Sequence, residues 1–259
     1  AVGSGIAAMR EIVADGVAFE VTTLRRDVET DGRRAVVAFT DDWREDAMRR
    51  DFTINAIYVA PDGTIFDPAG GLEDLKIAHV RFIGDASDRI REDYLRILRF
   101  FRFTAEYGRG APDAGGLASC KALKAGLAKL SSERVGAEIM KLLAAPRAAE
   151  IAAVMDASGI LEIVFSGKVF PDRLSRLAGI ETETGLAADS WTRLATLALD
   201  GPALPRALAP RLRLANADAD ALESAGVGKE EIGDDDRHQD EVHLPEQQGL
   251  VDRLEAGAD

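Results

Sequence analysis

Cysteine is almost absent from this chain. Cys120 is the only one in 259 residues, and there are three histidines. One cysteine excludes an intramolecular disulfide and suits a reducing compartment, so a cytoplasmic protein is expected. Cys120 lies in an Ala/Leu-rich stretch and reads as a small buried hydrophobe rather than a nucleophile. No run of 18 apolar residues occurs, which excludes a membrane-spanning helix and leaves no membrane partner to expect. No Lys/Arg-led apolar segment opens the chain, so no secretory signal is visible, and an initiator Met is missing too. A fragment or a processed chain fits that start, and a fragment is the preferred reading. His238 and His243 lie five apart, which is not a helical ligand spacing, and no metal site is read there. Aromatic residues are scarce at 6%, yet hydrophobic residues reach 46%, enough for a sizeable core.

Positive charge is in deficit: 32 Lys and Arg face 45 Asp and Glu, for a net charge of -13. That balance alone argues against a nucleic-acid partner. Its distribution weakens the objection, because residues 216–259 hold 14 acidic and 3 basic residues, including Asp234-Asp235-Asp236. The acidity is thus mostly a property of a solvated tail expected to be disordered. The near-neutral remainder can still carry a basic groove.

The first 83 residues read as mixed α/β. Asp15-Gly16 between Glu11–Ala14 and Val17–Leu24 is a hairpin signal, since Asp-Gly tolerates the positive φ of a two-residue turn. Ala35–Phe39 is a further strand candidate. Trp43–Arg50 reads as a helix with Asp42 as N-cap and Glu45 three residues on. Thr53–Val59 is β-rich, Asp62-Gly63 turns the chain, and Thr64–Phe66 returns. Gly70-Gly71 breaks the chain before a short helix at Leu72–Lys76, and Val80–Ile83 reads as a strand. From Asp88 to about Tyr107 one helix is expected, with Tyr94, Ile97, Leu98 and Phe101 as its apolar stripe. Its twenty residues would span roughly 30 Å. Everything after Gly108 reads as helical: Leu117–Leu130, Ser132–Leu143, Ala148–Asp156, Pro171–Leu177 and Trp191–Leu199.

Three constellations carry chemistry. Glu20, in Phe19-Glu20-Val21-Thr22-Thr23-Leu24-Arg25, would share a strand face with Thr22. A lone strand Glu is usually a solvated residue, and a metal role would need partner carboxylates. Arg49-Arg50-Asp51-Phe52-Thr53-Ile54-Asn55-Ala56 places two arginines and an aspartate where a helix gives way to a strand. Guanidinium forks suit phosphates, and Asp51 could orient an arginine or accept from a ribose hydroxyl; the bland alternative is a cationic helix end. In Arg91-Glu92-Asp93-Tyr94-Leu95-Arg96-Ile97-Leu98-Arg99-Phe100-Phe101-Arg102, the residues Asp93, Arg96, Arg99 and Arg102 recur every three. An exposed salt-bridge ladder would look the same. The sharper reading is a base reader: Asp accepts from the amino group that cytosine and adenine share, and Arg donates to the neighbouring ring acceptor.

Taken together, residues 19–102 resemble the head and neck of class II tRNA nucleotidyltransferases and bacterial poly(A) polymerases. The resemblance is carried by five segments in the family's order. These are Glu20–Arg25, Arg49–Ala56, Phe66-Asp67-Pro68 with Gly70–Leu75, Val80–Gly84, and Glu92–Phe103. Residues 109–215 look like the family's helical body more loosely. The resemblance implies that Arg50 and Asp51 contact the sugar and phosphates of a bound CTP or ATP, with Arg49 beside them in the nucleotide site. It implies that Asp93 and Arg96 read the base, that Arg99 and Arg102 contact the nucleotide, and that Glu20 is a third catalytic carboxylate on Mg²⁺. The second substrate would be the 3′ end of tRNA or another RNA. Ahead of Glu20, however, the family's Gly-Gly segment and its metal-binding Asp-x-Asp pair do not appear. Asp218-Ala219-Asp220 lies in the acidic tail and receives no catalytic weight.

The expected fold class is therefore α+β: a partial polymerase-β-like head at 1–83, a neck helix at 84–108, an all-α body at 109–215 and the tail at 216–259. The expected function is addition of CMP or AMP to an RNA 3′ end, with little catalysis by this chain alone. The competing reading is a non-catalytic nucleotide- or RNA-binding remnant, or half of a split enzyme whose partner chain supplies the missing head segment.

Overall fold

The computed structural model describes residues 10–14, 17–31, 34–198 and Leu212. All of them lie in one unit, Ala1–Gly226. The acidic tail, His238, His243 and Asp218-Ala219-Asp220 fall outside the described residues.

The head begins with two antiparallel hairpins. Strand β1 (Arg10–Ala14) pairs with β2 (Val17–Val21), Ile12 opposite Phe19, as the turn signal predicts. Strand β3 (Arg25–Asp31) pairs with β4 (Arg34–Phe39), with a register irregularity between Asp27 and Glu29. β3 was not expected, because Arg-Arg-Asp-Val-Glu-Thr-Asp lacks an apolar alternation; here pairing with β4 decides. Helix α1 (Trp43–Met48) starts where predicted. The Asp42 carboxylate accepts from the Arg44 amide at 2.7 Å, while Glu45 accepts from the Thr40 hydroxyl at 2.7 Å.

Thr53–Val59 is a correction. Residues Thr53–Ala56 form a 3₁₀ turn, and only β5 (Tyr58–Val59) is extended, paired with β6 (Ile65–Phe66). Side-chain bonds override the β-propensity. Thr53 donates to Asp74 at 2.6 Å, and Asn55 donates to Asp51 at 2.9 Å. Helix α2 (Gly71–Lys76) then packs hard onto this turn. A Cβ on Gly71 would stand 2.1 Å from the Thr53 carbonyl oxygen, so no larger residue fits. Val80–Ile83 is likewise not a strand but contributes one isolated bridge, Phe82 to Phe52, because its partner segment has already coiled into the turn.

The expected single helix over 88–107 is two. Helix α3 (Ala86–Glu92) ends at Asp93, whose backbone is extended at φ -154 and ψ 108. Helix α4 (Leu95–Tyr107) begins immediately after. The body follows as α5 (Ala114–Leu123), α6 (Ser132–Ala144), α7 (Ala148–Ala157), α8 (Ile160–Phe165), α9 (Pro171–Thr184) and α10 (Ser190–Ala198). The expected helix 117–130 stops at Leu123 and tightens into a 3₁₀ segment, Lys124–Lys129. Close packing is the reason: a Cβ on Gly126 would lie 1.9 Å from the Tyr94 ring. The short α8 was not foreseen. Gly159 enters it at φ 67, a left-handed start that the apolar pattern alone does not reveal.

The core is continuous from head to body. Phe52, Phe100 and Phe101 are fully buried, and Phe52 meets Phe82 and Phe103 with ring centroids 5.0 Å apart. Each such ring contributes about 1.5–3 kcal/mol by burial. Ile97, Leu98 and Phe101 of the predicted stripe face this core. Cys120 is buried as expected, and that burial pushes its thiol far above the ordinary range. A rigid aromatic joint therefore fixes α4 against the Arg49–Ala56 segment.

Candidate nucleotide-binding cleft

A cleft of about 380 Å³ opens at that joint, lined by Thr22, Arg25, Arg49, Arg50, Asp51, Asn55, Asp93, Arg96 and Arg99. Five of these residues are arginines and two are carboxylates, so the cleft is a cationic patch in an acidic protein. It draws together three of the five sequence segments.

One wall is organised around Asp46 of α1, whose side chain is 1% exposed. Its carboxylate accepts from the Arg25 amide at 3.1 Å and from Arg49 at 2.6 and 2.9 Å. Arg50 donates to it at 3.0 and 3.2 Å, and the Tyr58 hydroxyl at 2.7 Å. Burial by itself raises a carboxyl pKa. Here the bonds from Tyr58, Arg49 and the Arg25 amide outweigh it and hold Asp46 at about 2. Burial and the same bond push the Tyr58 phenol up to about 12. Arg50 is raised as well: burial opposes its charge, but Asp46 and Tyr58 more than restore it. Arg49 also donates to the Arg25 carbonyl at 2.8 Å, and Arg50 to the Asn55 carbonyl at 3.0 Å.

The floor is Asp51, 7% exposed. One oxygen accepts from the Phe52 amide at 3.0 Å and Asn55 at 2.9 Å; the other accepts from Arg99 Nε at 2.5 Å. Asp51 orients Arg99, the first of the two roles that the sequence suggested for it.

The opposite wall is the break between α3 and α4. Asp93 Oδ1 accepts from the Leu95 amide at 3.1 Å, and Oδ2 pairs with Arg134 of α6 at 2.5 Å. Arg96 pairs with Glu92 and donates to the carbonyls of Arg89 at 2.9 Å and Arg49 at 3.2 Å. Asp93 and Arg96 thus both line the cleft, but not as one helical stripe: Asp93 is on the extended hinge and Arg96 is in the first turn of α4.

Arg102 is not among the lining residues. It turns to Glu138 of α6, 2.6 Å away, and lies over the Phe103 ring at 4.2 Å. Glu20 is on β2 opposite Glu11 in the register, and its side chain falls outside the described residues. Sequence reasoning missed Arg134, Glu138 and Arg25. Arg134 and Glu138 stand four apart on α6, a spacing that puts them on one face, yet nothing local ties that face to residues some 40 positions earlier.

Fold and cleft together define an α+β nucleotidyltransferase head joined to an all-α neck and body. The profile of the Poly A polymerase head domain matches residues 5–81, and that of the probable RNA and SrmB-binding site of polymerase A matches 116–169. Among curated relatives, CCA tRNA nucleotidyltransferase 1, mitochondrial, of Danio rerio is 48% identical over 176 residues, covering 66% of this chain and 36% of the relative. The CCA-adding enzyme of Geobacillus stearothermophilus is 37% identical over 188 residues, covering 71% and 46%. The crystal structure of the Bacillus stearothermophilus CCA-adding enzyme in complex with CTP superposes with a TM-score of 0.71 at 31% identity, covering 86% of this chain and 54% of that one. The chain belongs to the class II tRNA nucleotidyltransferase and poly(A) polymerase family. It spans less than half the length of the curated relatives it matches. Among the described residues, no helix is long and apolar enough to cross a membrane.

Proposed function

We propose that this chain is the nucleotide-selecting part of an enzyme that adds CMP, AMP or both to the 3′ end of tRNA. The carrying observation is the cleft itself, in which Arg49, Arg50, Asp51, Asp93, Arg96 and Arg99 converge from two motifs more than 40 residues apart. The whole enzyme would join an RNA 3′-hydroxyl to the α-phosphorus of CTP or ATP and release pyrophosphate. The residues of this chain bind and orient the nucleotide in that reaction. Asp93 accepts the amino hydrogen of cytosine or adenine, and Arg96 donates to the adjacent ring acceptor. The guanidinium wall meets sugar and phosphates. The RNA is proposed to meet the helical body, whose 116–169 segment matches the RNA-binding profile. Mg²⁺ is the family's expected metal. Among the described residues no cluster of three His, Cys, Asp or Glu could hold such an ion. A reducing compartment suits the buried Cys120 thiol, whether cytosolic or organellar.

The test is a titration of the chain with CTP, ATP, UTP and GTP. Binding should favour CTP and ATP, and Asp93→Ala should flatten that preference, since an unsatisfied carboxylate against a carbonyl costs about 1–3 kcal/mol. Equal affinity for all four in the parent chain, or a preference that survives Asp93→Ala, would sink the assignment.

A further inference from the structure

We propose that Arg25 is an additional phosphate-binding residue of this cleft, one that none of the sequence motifs singled out. The inference rests on the reading of the cleft as a nucleotide site and names the group that takes the polyphosphate.

The case begins with how the five cleft arginines are held. Arg49 and Arg50 share Asp46 at 2.6 and 3.0 Å, Arg96 pairs with Glu92, and Arg99 holds Asp51 at 2.5 Å. Four of the five are thus paired with a carboxylate of the protein, Arg49 and Arg50 sharing one. Arg25 differs: among the described residues its side chain has no carboxylate partner, and its Nε is a buried donor with no hydrogen-bond acceptor. A buried donor left unmatched costs about 1–3 kcal/mol and is an exception that calls for an explanation. The explanation that fits is a guanidinium kept for a ligand: Arg25 lines the cleft, and an anion there meets a charge that no carboxylate neutralises.

The backbone of Arg25 is anchored by two bonds beyond the strand ladder. Its amide donates to Asp46 Oδ1 at 3.1 Å, and its carbonyl accepts from Arg49 Nε at 2.8 Å. The two bonds come from α1 and its C-cap. They fix the Cα–Cβ direction without using the side chain, which is how a scaffold presents a cation to a ligand. An anion is the ligand that fits, because Arg25 brings to the cleft a positive charge that no carboxylate among the described residues pairs. A base would be recognised by paired donors and acceptors, whereas Arg25 offers only donors. Its contact should therefore be to phosphate and carry no base preference.

The experiment compares the parent chain with Arg25→Ala and Arg25→Lys, using inorganic tripolyphosphate and the four nucleoside triphosphates as probes. Loss of one charge-assisted contact should weaken tripolyphosphate and all four nucleotides alike, by about tenfold in Arg25→Ala. Arg25→Lys should recover part of that, since it keeps the charge but not the fork. The ratio of CTP to UTP affinity should stay at the parent value. Neither variant should melt below the parent, because the bonds to Asp46 and Arg49 are made by the backbone. Unchanged tripolyphosphate affinity in Arg25→Ala would overturn the inference, as would a loss confined to CTP and ATP. A parent chain that binds tripolyphosphate through Arg25 but shows no base preference would leave this inference standing and remove the selector reading. A parent chain that binds no probe at all would remove both.

Discussion

Two arginine networks in this molecule use the same chemistry to opposite ends. In the body, Arg193 of α10 is 6% exposed and every arm of its guanidinium is committed. It donates to Glu181 at 2.6 to 3.2 Å and to the carbonyls of Leu143 at 2.7 Å and Ala145 at 3.0 Å. That arrangement closes the C-terminal end of α6 and leaves no nitrogen of the guanidinium without a protein partner. At the head–neck joint the arginines are partly buried and line an open cleft, four of them held by carboxylates and backbone carbonyls and Arg25, among the described residues, through its backbone alone. A structural arginine is one whose donors are used up. An arginine of the cleft, on the proposed reading, is held by part of its guanidinium and presents the rest.

The largest effect that follows is on the body network. Arg193→Ala strands the Glu181 carboxylate, 9% exposed, without its partner. The variant should lose about 3–5 kcal/mol of stability, whereas Arg193→Met combined with Glu181→Leu should lose far less, because the desolvated pair is removed together. Urea unfolding of the three chains measures this. A loss below about 1 kcal/mol in Arg193→Ala would show that the pair is no keystone, and would blur the distinction between the two networks.

A smaller effect belongs to Asp46, which organises the cleft wall. Its carboxyl is held at about 2, against an ordinary 3.8. A depressed carboxyl stabilises the fold above its unfolded value, and that contribution drains away as pH falls from about 4 to about 2. A shift of this size corresponds to roughly 2 kcal/mol. The stability gap between the parent and Asp46→Asn should be wide at pH 5 and nearly closed at pH 2 in urea melts. A gap that stays constant over that range would mean that the arginines and Tyr58 do not depend on the charged carboxylate.

How much of this was legible beforehand follows from the range of the interactions involved. Asp42 as a helix cap and the hairpin at β1 and β2 are local, and the sequence patterns for caps and turns found both. The cleft residues Arg49, Arg50, Asp51, Asp93, Arg96 and Arg99 were also legible, because two motifs name them and the fold brings those motifs together. The break at Asp93 was not legible. No Gly or Pro marks it, and it depends on Tyr94 packing over Gly126 and on Arg134 holding Asp93 from α6. The 3₁₀ turn after Phe52 escaped for the same reason, since its determinants, Asp74 and Gly71, lie some 20 residues on. Arg25 is not legible in the segment Glu20–Arg25, because nothing in a sequence shows which of several arginines lacks a carboxylate among the described residues.

The smallest expected effect separates the two networks along a single helix. Arg99 and Arg102 are three residues apart on α4, and the family resemblance implies that both contact the nucleotide. The geometry divides them. Arg99 lines the cleft with its Nε on Asp51, while Arg102 lies on Glu138, a carboxylate 6% exposed. Glu138 also stands 3.7 Å from Arg99, so it ties the two arginines together from behind. Arg102→Ala should therefore cost stability, about 1–3 kcal/mol for leaving a buried acceptor poorly matched. Affinity for CTP and ATP should change less than about twofold, since a phosphate or base contact would be worth tenfold or more. Arg99→Ala, measured beside it, should weaken nucleotide binding clearly. Equal losses of nucleotide affinity in the two variants would place Arg102 with the binding arginines, and would mean that Glu138 releases it when nucleotide enters the cleft.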